Sequence, residues 1–270
     1  MKLDSTTALV TGAASGLGRA IAVELAAPGR TLWLTDLSEE ALEGVAAEVT
    51  ERGATARLRR IDVADGASWT AAREAIGPVD LLVNNAGVAD VGPLLSTTDR
   101  QWERQIGINL MGVVRGSRAF VPAMVQQGRG HVVNIASFAG LAMAPGMIAY
   151  NTAKGGVVAF SESLRVELAL EGVGVSVCCP AFFRTNLTES LEDASPAMVK
   201  RIHGWMDGSG VTAEDVAKAV VTAVQKDTFM VLTHPTTWRY WMLKRLLPER
   251  YRAQLLAQAQ KRRKKASGST

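Results

Sequence analysis

Short apolar runs alternate with segments of helical periodicity along most of this chain. The runs are rich in β-branched residues and end in polar or turn residues, as buried strands do; they include TLWLTD at 31–36, residues 54–62, VDLLVNN at 79–85, HVVNIA at 131–136 and VGVSVCC at 173–179. Helices are predicted between them, at 38–52, 65–76 and about 99–127. This repetition predicts an α/β protein with a doubly wound parallel sheet of about seven strands and helices on both faces.

The composition indicates a single large hydrophobic core. The chain has 270 residues, of which 47% are hydrophobic, and no Pro- or Ser-rich linker divides it, so residues 1–234 are predicted to form one domain. The sequence has no run of the roughly 18 apolar residues that a membrane span needs, and Asp4 stands where a signal peptide would be apolar. We therefore expect a cytoplasmic protein. Cys178 and Cys179 are neighbours in an apolar strand, which predicts buried, reduced thiols.

A glycine-rich turn follows the first strand. Residues 6–18, TTALVTGAASGLG, pass from strand to turn, and RAIAVELAA continues with helical periodicity. Gly12, Gly16 and Gly18 would let the backbone approach a pyrophosphate, whose charge the amides and dipole of the new helix would stabilise. Asp36 closes the next strand, about twenty residues further on, where a carboxylate can accept hydrogen bonds from both hydroxyls of an adenosine ribose. This series predicts a Rossmann-type dinucleotide site.

A second group of polar residues surrounds the strand at 131–136. Ser137 follows that strand, and Tyr150 and Lys154 lie four residues apart in a predicted helix, so their Cβ atoms share one face about 6 Å apart. A positive charge about 5 Å from a phenol lowers its pKa by a little over two units at an effective dielectric of 20, whereas burial raises it. Taken alone, such a pair is better explained as a core aromatic and a solvated charge, and only its context favours a catalytic role.

In this order the motifs resemble those of the short-chain dehydrogenase/reductase family in its compact form, over roughly residues 5–233. TGAASGLG at 11–18 is similar to the family's TGxxxGxG motif and NNAG at 84–87 to its sheet-turn motif, and the thirteen-residue spacing from Ser137 to Tyr150 agrees. Ala181 replaces the glycine of the later PGxxxT motif. The resemblance implies that Asn109, Ser137, Tyr150 and Lys154 are catalytic. It implies cofactor contacts from Gly12, Ser15, Gly16, Leu17, Gly18, Asp36, Leu37, Asp62, Val63, Asn85, Ala86, Gly87, Tyr150, Lys154, Pro180, Phe183 and Thr185.

The resemblance also implies a role for each catalytic residue. Tyr150 would exchange a proton with the substrate oxygen, Ser137 would donate a hydrogen bond to that oxygen, and Lys154 would lower the pKa of Tyr150 and bind the nicotinamide ribose. Asn109 lies in the apolar middle of the long helix, where its amide must find partners. It is either satisfied locally or, as the family implies, marks a kink whose carbonyl holds a water linking Lys154 to solvent.

The expected activity is hydride transfer between a nicotinamide cofactor and an apolar secondary alcohol or ketone, in a domain that holds both sites. A carbon–carbon double-bond reductase or epimerase on the same scaffold, or a non-catalytic dinucleotide-responsive binding protein, are the alternatives. An apolar substrate is expected because hydrophobic residues crowd the segments near the catalytic strands. These residues are Phe138, Leu141, Met143, Met147, Phe182, Phe183, Leu187, Met198, Trp205 and Met206.

NAD is expected in preference to NADP. Asp36 would repel the extra phosphate by about 4 kcal/mol at 4 Å and an effective dielectric of 20. Leu37 and Ser15 stand where NADP-preferring relatives tend to carry bases, and no compensating base follows. The resemblance further implies a homodimer or homotetramer in which the long helices around Asn109 and Tyr150 pair across a two-fold axis.

The last part of the chain differs in charge from the rest. Residues 239–265 carry a net charge of +9 and the remainder carries −5. Apolar stripes on either side of Pro248 predict two helices, so 235–265 is expected to be a basic amphipathic extension and 266–270 a disordered tail. The helices either pack on the protein, on a neighbouring subunit or over the substrate cleft, or they make a peripheral contact with an anionic membrane. Nucleic acid is not expected as a partner because no recognition fold accompanies the charge.

The histidines do not cluster. His131, His203 and His234 are far apart in the sequence and are expected to be structural or exposed, so the sequence predicts no metal site.

Overall fold

The computed structural model describes residues 1, 3–4, 6–183, 191, 196–234 and 236–267. Seven parallel strands form one sheet in the order β3-β2-β1-β4-β5-β6-β7, which confirms the predicted fold class. The order reverses between β1 and β4, and ligands of such sheets bind at the carboxyl edge near this point. The strands are β1 Thr7–Thr11, β2 Thr31–Asp36, β3 Thr55–Arg60, β4 Leu81–Asn84, β5 Gly130–Ile135, β6 Val173–Cys178 and β7 Met230–Val231.

Helices cover both faces of this sheet. They are α1 Gly16–Leu25, α2 Glu43–Glu51, α3 Gly66–Ile76, α4 Asp99–Ile106, α5 Gly112–Gln127, α6 Phe138–Ala142, α7 Ile148–Glu167, α8 Pro196–Asp207, α9 Ala213–Lys226, α10 Thr237–Leu246 and α11 Pro248–Ser267. Residues of α1, α2 and α9 share one apolar cluster with the sheet, and residues of α3, α5 and α7 share another.

The first strand explains why there are two clusters. Ala8 and Val10 point into the cluster on one face, and Leu9 between them points into the other. Side chains alternate along a strand, and a parallel strand covered by helices is apolar on both sides. All three residues are at most 1% exposed. Cys178 and Cys179 are buried free thiols, as expected, and burial raises the pKa of each, that of Cys179 to about 12.

Three predicted elements start or end at least two residues away from their expected bounds. The strand expected at 79–85 is Leu81–Asn84, so Asn85 follows it. The helix expected at 38–52 begins as a 3-10 turn at Glu40–Leu42, before α2. The strand expected at 54–62 is Thr55–Arg60, so Asp62 follows the strand rather than ending it. Its carboxylate accepts a hydrogen bond from the Ala64 amide at 2.9 Å, which turns the chain toward α3.

The long helix predicted at 99–127 is interrupted in its middle. Thr98 and Gln101 form a capping box at its start, and Gly128 ends it in the left-handed conformation with φ 62°. Between α4 and α5 a π-helical turn at Gly107–Met111 widens the helix around Asn109. Such single turns inside α-helices recur at functional sites.

The C-terminal segment forms α10 and α11. The second of these continues to Ser267, two residues into the stretch predicted to be disordered, because no Gly or Pro ends the helix before that point. Residues 268–270 lie outside the described part of the chain. Thr237 and Tyr251 are buried against the body of the protein.

Candidate active site

The glycine turn between β1 and α1 is built by close backbone approach. Gly12 has φ +65°, and a Cβ added to it would lie 2.8 Å from the Cα of Ala86. A Cβ at Gly18 would lie 1.9 Å from the carbonyl oxygen of Gly12. Gly16 also has a positive φ, +53°. Side chains are therefore excluded where a pyrophosphate would meet the start of α1. Ser15 is the N-cap residue of this helix, and Leu17 is buried in its first turn.

The loop after β4 is joined to this turn. The Thr11 hydroxyl oxygen accepts hydrogen bonds from the backbone amides of Asn85 and Ala86, both at 3.0 Å. The side-chain amide of Asn85 donates to the carbonyls of Thr11 and Gly12, at 2.9 and 3.2 Å. A Cβ at Gly87 would lie 2.7 Å from Oδ1 of Asn109 and 3.3 Å from Nζ of Lys154. The two loops therefore meet at the switch point, and Gly87 brings the second loop up to Asn109 and Lys154.

Asp36 lies at the carboxyl end of β2, as predicted. Its two carboxylate oxygens accept hydrogen bonds from the amides of Ala14, at 3.1 Å, and Leu37, at 2.7 Å. Arg60 is its partner on β3, and the Nε of Arg60 donates to the Leu37 carbonyl at 3.1 Å. Sequence reasoning missed this base because Arg60 is distant in the chain. The signal was present, since adjacent parallel strands that both end in polar residues bring those residues to one edge.

These features fit a nicotinamide dinucleotide. The backbone fills the Cβ positions of the turn glycines, the start of α1 faces the turn, and an acid ends β2. Asp62 and Val63 lie beyond the end of β3, at the same sheet edge, with Val63 buried. Among the described residues, no cluster of three His, Cys, Asp or Glu side chains could hold a metal ion.

The structure brings Ser137, Tyr150 and Lys154 together. Ser137 follows β5 and is the N-cap of α6, with its hydroxyl oxygen accepting the Ala139 amide at 3.1 Å. Tyr150 and Lys154 lie in the first turns of α7 and are nearly fully buried. The ammonium of Lys154 donates to the Ile135 carbonyl at 2.8 Å and lies 6.0 Å from the centre of the Tyr150 ring.

Burial is the largest influence on the pKa values of Tyr150 and Lys154. It raises the pKa of the Tyr150 phenol, and the hydrogen bond with Ser137 lowers that pKa by less. The expected lowering by Lys154 therefore does not prevail in the protein alone. Burial also lowers the pKa of Lys154 itself, to about 8, against a smaller opposing effect of Cys179. The cause is loss of hydration, which disfavours the charged form of each group.

Asn109 has local partners for its side chain. Its amide nitrogen donates to the Val88 carbonyl at 2.9 Å and to the Gln105 side chain at 2.6 Å. Its amide oxygen accepts from the Val88 backbone at 3.0 Å. The amide is thus satisfied locally, and its backbone lies in the π-helical turn. The water link to Lys154 stays a prediction.

His234 holds the loop that follows β6. Its Nδ1 accepts a hydrogen bond from the Ala181 amide at 3.2 Å, and its Nε2 donates to the Phe182 carbonyl at 2.9 Å. The Pro180 carbonyl accepts from the Phe138 amide at 2.8 Å, which ties this loop to α6. Phe183 is buried. Thr185 and Leu187 lie outside the described residues, as do the side chains of Met198 and Trp205.

The C-terminal helices cap α6. Lys244 donates to the Leu141 carbonyl at 2.5 Å, and the Tyr251 hydroxyl donates to the Ala142 carbonyl at 2.7 Å. The last carbonyls of a helix have no partner within it, so these bonds satisfy groups that would otherwise need water. The rings of Phe138 and Tyr240 lie 6.4 Å apart. Packing of this segment was one of two alternatives that the sequence left open, and no sequence pattern indicated that Lys244 and Tyr251 would bond the helix capped by Ser137.

Comparison with known proteins decides the family. A family model described as short chain dehydrogenase matches residues 6–196. The chain belongs to the short-chain dehydrogenase family. The resemblance drawn from the motifs is thereby confirmed.

Members of this family match most of the chain. The probable oxidoreductase EphD of Mycobacterium tuberculosis is 33% identical over 261 residues, which cover 92% of this chain but only 44% of that protein. This chain thus spans less than half the length of that relative. Cyclopentanol dehydrogenase of Comamonas testosteroni is 31% identical over 234 residues, which cover 85% of this chain and 94% of the relative.

Solved structures of short-chain dehydrogenases share the fold. The structure of a short-chain dehydrogenase/reductase from Burkholderia phymatum in complex with NAD has a TM-score of 0.83 and 35% identity, and the match covers 91% of this chain and 94% of that one. A short-chain dehydrogenase from Sphingobium yanoikuyae in complex with NADPH has a TM-score of 0.75 and 26% identity, with 89% and 93% covered. These neighbours include complexes with either cofactor.

Proposed function

We propose that this chain is a dehydrogenase that transfers a hydride between a nicotinamide cofactor, preferably NAD, and an apolar secondary alcohol or ketone. The observation that supports this most directly is that Ser137 lies close enough to lower the pKa of the Tyr150 phenol, with the Lys154 ammonium 6.0 Å from the centre of the Tyr150 ring, at the sheet edge that carries the glycine turn. A binding protein would need the turn but not this acid–base set.

The cofactor would be held at three points. The amides at the start of α1 would bind the pyrophosphate, Asp36 the adenosine ribose and Lys154 the nicotinamide ribose. When bound, the nicotinamide supplies or accepts the hydride. The chain itself supplies position, proton transfer and the exclusion of water.

Tyr150 would handle the proton. Because burial raises its pKa, the phenol is protonated near neutral pH and is ready to donate to a carbonyl oxygen. Ser137 would donate a second hydrogen bond to the same oxygen. In alcohol oxidation the phenolate form is needed, and the Lys154 ammonium favours that form by its charge. Since burial lowers the pKa of Lys154 to about 8, this help should weaken in alkaline solution.

The preference for an apolar substrate rests on the residues around Ser137. Leu141 is buried in α6, and Met143 and Phe182 are 40% and 39% exposed. Phe183 is buried in the core cluster shared with α1 and α9 and is not part of this group. Met143 has φ +52°, which is uncommon for a side chain other than glycine, so the loop is held in a strained form beside the site. Flexible and aromatic side chains of this kind line apolar pockets.

The test is a panel of hydrophobic ketones, polyols and sugars, assayed with both cofactors and with product analysis. Tyr150→Phe should lower kcat by about 10² to 10⁴ with cofactor affinity within several-fold, because the ring stays and only the proton is lost. Lys154→Ala should reduce both turnover and cofactor affinity. Thr152→Ala, on an exposed position of α7, is the matched control and should behave as wild type.

Three results would count against the proposal. Retention of a tenth of the rate by Tyr150→Phe would remove the acid–base role. Faster turnover of polyols than of hydrophobic ketones would remove the apolar substrate. A product reduced at a carbon–carbon double bond, or epimerised, would place the reaction in another class. Light scattering of the same preparations would test the expected homodimer or homotetramer.

A further inference from the structure

The C-terminal helices present a surface that their packing does not use. The inner side of α10 and α11 is occupied, since Thr237 and Tyr251 are buried and Lys244 binds the Leu141 carbonyl. The opposite side, called here the outer face, exposes apolar residues. They are Leu246, at 67%, Leu247, at 45%, and Leu256, at 60%. Trp238 is 56% exposed, but it lines a cavity with His234 and Trp241 and is not counted in the outer face.

Basic residues surround these apolar side chains. Residues 239–265 carry ten Lys or Arg and a single acid, Glu249. That acid pairs with Arg252. Arg245 lies over the Trp241 ring at 5.2 Å, which keeps its charge next to the apolar turn between the helices. The exposed bases of the outer face include Arg239, Arg245, Arg250, Arg252 and Lys261.

Charge and composition select among possible occupants. A second copy placed face to face would bring +9 against +9, which repels. A nucleic acid backbone binds proteins through its phosphates, and the leucines at the turn between the helices would gain nothing from contact with them. A lipid surface has anionic groups that attract the basic residues of the outer face and an apolar layer that accepts its leucines.

We propose that the outer face of α10 and α11 binds an anionic lipid surface. The turn at Leu246 and Leu247 would enter the interfacial layer, and the arginines would contact the headgroups. The contact is peripheral, because no helix in the described ranges is long and apolar enough to cross a membrane. Lipid binding needs no turnover, so its failure and failure of the proposed reaction can be told apart.

The test is sedimentation of the full chain with vesicles of phosphatidylcholine alone or mixed with phosphatidylglycerol. We expect binding to the anionic vesicles at low salt and its loss near 0.5 M salt, where charges are screened beyond about 4 Å. Arg245→Glu with Arg250→Glu should lower the partition coefficient by more than roughly 25-fold, since each lost base accounts for about fivefold and each new carboxylate adds repulsion. Leu246→Ser with Leu247→Ser should lower it at both salt concentrations.

Matched controls lie on the body of the protein. Arg52→Glu with Arg73→Glu removes the same charge from exposed positions elsewhere, and Leu170→Ser removes an apolar side chain that is 96% exposed. Circular dichroism would establish that each variant is folded. Binding to anionic vesicles that the outer-face variants do not weaken would overturn the proposal, as would no binding at low salt. A change of oligomer mass in these variants, with vesicle binding unchanged, would also overturn it and identify the face as a subunit contact.

Discussion

Cofactor choice should depend on the opposed charges of Asp36 and Arg60. In NADP the extra phosphate lies on the ribose that Asp36 is expected to bind, about 4 Å from its carboxylate, and the repulsion is about 4 kcal/mol at an effective dielectric of 20. The site faces solvent, however, since Leu37 is 59% exposed and Arg60 is exposed. At a dielectric near 40 the repulsion falls to about 2 kcal/mol, or about thirtyfold.

Arg60 reduces this preference further. Its guanidinium is held at the Leu37 carbonyl, beside the carboxylate. At about 6 Å from the phosphate and the same dielectric, its attraction would be about 1.4 kcal/mol, or tenfold. We therefore expect the wild type to prefer NAD by a few-fold rather than a thousandfold.

The assay is the ratio of kcat/KM with NAD to kcat/KM with NADP. Asp36→Asn should shift the ratio about thirtyfold toward NADP, and Arg60→Ala about tenfold toward NAD. Arg57→Ala removes an exposed base from the same strand, about 10 Å from the edge at 3.3 Å per residue, and should leave the ratio unchanged. A wild type that prefers NADP, or an Asp36→Asn variant with an unchanged ratio, would refute the reasoning.

Three further predictions concern cofactor binding and stability, and two of them have a control variant. Gly18→Ala should abolish the thermal stabilisation by added cofactor, because its methyl group would lie 1.9 Å from a carbonyl of the glycine turn. Gly44→Ala in α2, where an added Cβ would meet no described atom within 4 Å apart from its chain neighbours and the backbone of its own helix, should keep it and add about 0.5 to 1 kcal/mol of stability. Burial lowers the pKa of His131 to about 4, so the unfolded chain takes up a proton near pH 6.5 that the folded protein does not. The free energy of unfolding in urea should therefore fall by about 2 kcal/mol from pH 8 to pH 5 in the wild type, and this difference should be absent in His131→Gln. Tyr251→Phe should lower that free energy by about 1 kcal/mol by leaving the last carbonyl of α6 unpaired, whereas Tyr240→Phe should change it less.

The elements that the sequence predicted best are those whose residue types are determined by one physical requirement. A parallel strand buried on both faces must be continuously apolar, and HVVNIA therefore predicted β5 to within one residue at each end. The glycine turn was predictable for a similar reason, since no side chain fits at Gly12 or Gly18.

The features that were missed depend on contacts distant in sequence. Arg60 is beside Asp36 only because β2 and β3 pair in this register. Lys244 and Tyr251 reach the end of α6 from about a hundred residues further along the chain, and no local pattern marks their targets. The raised pKa of Tyr150 reflects how deeply the folded protein buries the phenol, which spacing along a helix does not report.

Helix α6 is short, and it connects the candidate active site at one end to the C-terminal helices at the other. It has five residues, about 7.5 Å at 1.5 Å per residue, with Ser137 at one end and the carbonyls bound by Lys244 and Tyr251 at the other. We expect a substitution of Lys244 or Tyr251 to shift the far end of this helix and thereby re-aim the serine hydroxyl. Two proteins with identical catalytic motifs and different C-terminal helices would then diverge in substrate selectivity, so the terminal helices would be an efficient place for a laboratory selection to alter selectivity.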